Sequence, residues 1–290
     1  MNFYALSALV NLTILIPLSV ILYLKRKESR MINYFNIYNI FIIGWSLGYF
    51  LWQMSGTYSN ALFWVRFLMF SAMWIAPAFF HFSAVVADKE NQLLSWIIGA
   101  YMLNIPFAYL NFTSPLFISG LSTKMGINFF PSAGYLFIVF LIFWIFWLVC
   151  GFIELFKARK FIYEPKQKEF LKVITISSLV AILAGSVNYF LWFNIPIPPI
   201  TTMVAGVYGV VVCLFLLRKE TYKTDLIYFY VLAGLIVVTS TLNYVFGQKQ
   251  GISDFKWLTI GFLIFAGLIM ASFNRRHYKK LKQKEENIYG

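Results

Sequence analysis

Three ionisable side chains stand out within the long apolar runs of this sequence: Arg66, His81 and Glu154. Charge is expensive inside a bilayer and is often retained there for function. Arg66 lies a few residues into its run, flanked by Tyr58 and Trp64. A long arginine can snorkel to the headgroups, or its planar fork of donors can bind an anionic or polar ligand group. His81 follows about 22 Å further along a continuous helix, too far for the two to share one pocket. It reads either as a hydrogen-bonded core histidine or as a proton or signal relay. Glu154 stands three residues before Lys157 and reads as one half of a surface ion pair. Among the neutral polar groups, Asn104, Ser186, Asn188 and Asn243 suit hydrogen bonds across helices. Asn188 and Asn194 also precede the turn Ile195-Pro-Ile-Pro-Pro199. With Arg66, Trp52 and Tyr58 they fall at the same ends of neighbouring runs. The expected site is therefore an outward-facing ligand pocket built from Arg66, Trp52, Tyr58, Asn188 and Asn194, with His81 as a relay. The alternative for the proline-rich turn is that its prolines stop and restart helices.

Catalytic chemistry has few carriers. The sequence holds no HExxH, no GxSxG and no phosphate-binding glycine loop. Two histidines and eleven acids offer little for acid–base work, and no Cys/His spacing suits a metal. Neither an enzyme, a metal site nor a cofactor is expected. Cys150 and Cys213 sit in apolar runs and read as small buried hydrophobes. Asn111-Phe-Thr113 fits a glycan-acceptor pattern. Pro77 and Pro106 interrupt two runs, but they form no matched pair of broken helices of the kind transporters carry.

The elements that must position these residues are membrane spans. Hydrophobic residues make up 60% of the 290, charged ones only 12%, and mean hydropathy is +0.73. A soluble domain carries about 25% charged residues. Nine apolar segments are long enough to span, at 3–24, 33–54, 61–86, 93–111, 133–156, 169–193, 197–217, 226–246 and 256–273. The unbroken apolar run 136–149 does not alternate, which argues against a β-barrel. No basic stretch precedes the first span, so it is not expected to be a cleaved signal peptide. All the basic residues except Arg66, Lys124, Lys172, Lys249 and Lys256 fall on one side of this arrangement. By the positive-inside rule the N-terminus is outside and the C-terminus cytoplasmic. The formal charge of +13 is thus a topology signal, and no nucleic-acid partner is expected. The expected fold is an all-α, multi-pass bundle in a cell membrane, with a bacterial plasma membrane as the expected location and the lipid bilayer as its first partner. The outer connection 112–132 is apolar; it either packs on the bundle as an ordinary loop or covers a pocket.

Residues 1–220 resemble the seven-helix N-terminal module of membrane sensor histidine kinases. The resemblance is carried by Leu24-Lys-Arg-Lys-Glu-Ser-Arg30, by the second span from Asn36 to Phe50, and above all by the third, from Ala61 to Phe82. The Leu-Leu-Arg-Lys exit at 216–219 resembles the module's close. The expected organisation is a sensor-like module at 1–220, a two-span hairpin at 221–273 and a basic cytoplasmic tail at 274–290. The resemblance implies a signal-input protein, a homodimer, and a cytoplasmic or membrane signalling kinase as partner. Family members usually continue into kinase or cyclase domains, whereas only a short tail follows the ninth span here. That tail has room for no output domain. His277 lies in a basic stretch without the acidic neighbour of a phosphoacceptor and reads as part of a lipid anchor. The rival function is a small-molecule permease.

Overall fold

Asn2 and Thr57 start the first and third helices. Each side-chain oxygen accepts a backbone N–H three residues on, from Ala5 at 2.8 Å and from Asn60 at 3.4 Å. These bonds satisfy donors that a helix start leaves open. A computed structural model gives the architecture and describes residues 2–161, 163, 165–199 and 204–217. Within them the chain is helical apart from one β-hairpin. The elements are α1 (Phe3–Leu24), α2 (Arg30–Gln53), α3 (Tyr58–Val86), α4 (Leu94–Met102), α5 (Asn104–Thr113), β1 (Ile118–Lys124), β2 (Ile127–Ala133), α6 (Tyr135–Phe161), α7 (Pro165–Ser186), α8 (Asn188–Trp192) and α9 (Val204–Leu217).

Among the described residues four stretches are long and apolar enough to cross a membrane: Phe3–Leu24, Tyr58–Val86, Tyr135–Lys160 and Gln167–Trp192. α2 has the length, but Asn33, Asn36, Asn39 and its tyrosines dilute its apolar character. The expected fourth span, 93–111, is broken at Leu103 into α4 and α5. Pro106 supplies the reason: it has no N–H to return to the carbonyl one turn back. Spans expected at 226–246 and 256–273, and the tail with His277, lie outside the described residues. From Tyr135 to Ile153 α6 is apolar around its whole circumference, as suits a helix that faces lipid. Phe140, Trp144 and Leu148 are buried, whereas Ile142 is 66% exposed and Ile145 and Val149 share its outward side.

The helices close into a ring. α1 packs on α2, α2 on α3, α3 on α6, α6 on α7, α7 on α9, and α9 back on α1, with α4 and α5 outside against α3. Polar side chains fasten the seams. Asn11 Oδ1 accepts from Gly206 N at 3.0 Å, tying α1 to α9, and Asn39 Nδ2 donates to Leu15 O at 3.3 Å. Asn111 Nδ2 donates to Arg66 O at 2.8 Å, which fixes α5 against α3.

The connection 112–132 is not an irregular loop. β1 and β2 pair antiparallel, with Lys124 opposite Ile127 and only Met125-Gly126 between them. Both turn residues have positive φ, 49° and 76°. That is the backbone of a type I′ turn, whose twist matches the strands it joins, and glycine adopts it without strain. The hairpin caps one end of the ring beside the C-termini of α2 and α8. The turns carrying Lys25 to Arg30, Lys89, and the basic residues after α6 lie at the opposite end.

Candidate functional site

A cavity of about 70 Å³ lies inside the ring below the hairpin. α2 supplies one wall through Tyr38, Ile42, Trp45, Tyr49 and Trp52, spaced three or four residues apart so that they share one helix face. α3 adds Val65, Leu68, Ala72 and Ile75. Trp144 enters from α6, Asn188, Tyr189 and Trp192 from α8, and Tyr208 from α9. The rings stand edge to face. Tyr49 and Trp52 are 5.0 Å apart at 74°, Trp144 and Tyr189 5.9 Å at 85°, and Tyr38 and Tyr208 6.0 Å at 86°. Perpendicular rings suit the aromatic quadrupole and build a box rather than a stack. Two indole N–H groups are already bonded, Trp144 to Ala72 O at 3.1 Å and Trp52 to Phe129 O at 2.9 Å. The second of these joins the hairpin to the cavity wall.

The polar lining is thin. Asn188 is 5% exposed; its Nδ2 donates to Gly185 O at 3.0 Å, while its Oδ1 is buried with no hydrogen-bond donor. Among the described residues no lysine, arginine, histidine or carboxylate lines the walls. Lys124 stands close by on the hairpin. Its ammonium donates to Pro131 O and Leu191 O, both at 3.1 Å, and to Trp192 O at 3.5 Å. Burial lowers its pKa below the usual lysine value, and the three carbonyls use all three of its protons. Lys124→Met is expected to leave these carbonyls without that donor and to loosen the hairpin from α8. Amide exchange across 118–133 should rise severalfold; unchanged exchange would show that the ammonium does not hold the hairpin down.

Of the residues expected to form the pocket, Trp52 and Asn188 line this cavity and three do not. Arg66 is half-buried and is not among the residues lining the aromatic box; its backbone carbonyl accepts from Asn111 of α5, and its Nε is buried without a hydrogen-bond partner. Tyr58 is 46% exposed and packs edge-on against Phe129 of the hairpin at 6.4 Å. Asn194 has φ 61° and follows the last turn of α8, where Ile195 N bonds back to Phe190 O at 3.0 Å. That is a helix stop, a position asparagine tolerates.

At the basic end a polar cluster gathers four elements. Glu90, in the turn after α3, accepts hydrogen bonds from Arg30 and from Tyr34 Oη at 2.8 Å, and its Oε1 lies 3.3 Å from His81 Nε2. Tyr101 Oη of α4 lies 3.5 Å from His81 Nδ1. The Tyr34 ring packs on the imidazole, with centroids 4.1 Å apart. Burial pushes the Glu90 pKa up, but the Tyr34 and His81 hydrogen bonds and the Arg30 charge outweigh it, so it settles below the ordinary carboxyl value. Beside it, Glu154 of α6 pairs with Lys157 and with Lys89, each at 3.0 Å. The Lys157 contact is the one its spacing predicts. Nothing in the sequence singles out Glu90, which looks like an ordinary turn acid. Among the described residues no group of three or more His, Cys, Asp or Glu could hold a metal.

No family model matches the chain, and neither does any curated protein or any solved structure.

Proposed function

We propose that the chain is a multi-pass membrane protein of the signal-input class, with the aromatic cavity as its receiving site. One observation carries the reading: α2 and α3 each line the cavity and each contribute to the Glu90 cluster. From α2 come Trp45 and Trp52 at one end and Arg30 and Tyr34 at the other; from α3 come Leu68 and Ala72, then His81. An occupant that shifts these two helices bears directly on a charged cluster at the opposite face. His81, between Glu90 and Tyr101, is placed to relay such a shift to α4.

In this reading nine spans cross a bacterial plasma membrane, with the N-terminus and the hairpin outside and the C-terminus in the cytoplasm. The gathering of Lys25, Arg26, Lys27, Arg30, Lys89 and Lys157 at the end away from the hairpin supports that orientation. The output passes to a cytoplasmic or membrane kinase, and the working unit is a homodimer, as in the sensor modules that residues 1–220 resemble. A reporter fused after Gly290 is expected to be active only in the cytoplasm. Affinity capture of the solubilised full chain is expected to recover a signalling kinase and to lose it in Glu90→Ala. Failure to recover a signalling partner, with solute uptake by liposomes carrying the protein, would replace this reading with a permease.

A further inference from the structure

We propose that the cavity binds a small methylated ammonium ion that carries one hydrogen-bond donor. The proposal takes the cavity as the input site of the function given above and names the chemistry it receives. Aromatic faces are the negative pole of the ring quadrupole, and a cation held among them is attracted without a carboxylate. Six perpendicular or tilted rings on three helices surround this space: Trp45, Tyr49 and Trp52 on α2, Trp144 on α6, and Tyr189 with Trp192 on α8. With no carboxylate on the walls among the described residues, the ring faces carry the attraction.

Anions find no partner here. Among the described residues the walls carry no cation, Lys124 has spent its three donors on carbonyls, and Arg66 is not one of the lining residues. The Asn188 carbonyl oxygen points to the second half of the ligand. Asn188 lines the cavity, its carbonyl oxygen is buried with no donor, and a buried acceptor left unpaired is costly. A hydroxyl or N–H on the ligand would satisfy it. Room of about 70 Å³ suits a compact head such as trimethylammonium and not a sugar or nucleotide.

The trimethylammonium group exists on free solutes that carry a hydroxyl and on the headgroup of phosphatidylcholine, which carries none, and the test separates the two. The full chain is purified into nanodiscs of phosphatidylethanolamine and phosphatidylglycerol, and tryptophan fluorescence is followed as choline is added. A saturable change is expected, with the uncharged isostere dimethylbutanol binding at least about tenfold more weakly. Trp45→Leu is expected to weaken choline by about tenfold. Asn188→Ala should weaken choline, which has a hydroxyl, and leave tetramethylammonium, which has none, unchanged. In phosphatidylcholine nanodiscs, a lowered apparent affinity for choline identifies the lipid headgroup as an occupant, and an unchanged one identifies the free solute. Equal binding of choline and dimethylbutanol, or no saturable response to choline at millimolar concentration, would overturn the proposal without recourse to any variant. Choline binding that leaves kinase capture unaltered would count against the sensor reading and leave the ligand class standing.

Discussion

Glu90→Ala is expected to cost about 2 kcal/mol of folding stability, the size expected when two partly buried groups lose a charged hydrogen-bond acceptor. The Glu90 side chain is 11% exposed and accepts from groups on α2 and α3 at once. Truncation removes the acceptor from Tyr34 and His81 in a half-buried setting. Arg30 is 64% exposed and simply returns to water, so the loss falls mainly on the other two. Glu90→Gln keeps an acceptor for Tyr34 and gives up the charge; about 1 kcal/mol is expected. The pH dependence separates the charge from the shape. The folded pKa of Glu90 lies below the ordinary value of 4.5. Its contribution is therefore complete above about pH 4.5 and disappears as the pH falls through the lower folded value. In detergent, the stability gap between wild type and Glu90→Gln should be constant at neutral pH and close below about pH 4.5. A gap that persists unchanged in strong acid would mean the carboxylate charge is not what holds the cluster.

The cluster was legible only in part, and the reason is geometric. Hydrophobic length locates spans well: the run 3–24 coincides with Phe3–Leu24, and 61–86 lies within Tyr58–Val86. Depth along a helix also follows from position, and Trp52 and Asn188 lie on the wall of one cavity. Direction around the helix does not follow from depth. Arg66 lies at the level of the cavity, but its neighbours Val65 and Leu68 take the inward face and Arg66 stays out of the lining. The hairpin had a signal in Lys124-Met-Gly-Ile127, a turn pair between apolar strands, which the surrounding apolar residues masked. Glu90 had none, since a carboxylate in a turn acquires meaning only from the tyrosine and histidine that fold onto it. Gly44 and Gly48 did have a signal, the four-residue spacing of small residues that lets membrane helices approach closely.

That spacing yields the second large effect. Gly48 sits where α2 presses on α3: a Cβ added there would lie 2.8 Å from both the N and Cα of Leu68. Backbone atoms of a neighbouring helix cannot rotate away, so the two helices must separate. Gly44 differs, because its added Cβ would meet Ser71 Oγ at 2.6 Å, the end of a side chain that can turn. Alanine in a helix is worth about 1 kcal/mol over glycine, which offsets part of either clash. Gly44→Ala is therefore expected to be close to neutral. Gly48→Ala is expected to lose about 2 kcal/mol net, from an overpacking cost of about 3 kcal/mol. The loss should extend to the cavity, because Leu68 is one of its walls and Trp45, Tyr49 and Trp52 stand on the displaced helix. Unfolding of both variants in the same detergent, followed by tryptophan fluorescence, decides the matter. Equal stabilities would mean that α2 and α3 are not held at the separation that shapes the aromatic box. A larger loss for Gly48→Ala, accompanied by a shift in the native emission, would tie the box to the backbone contact between these two helices.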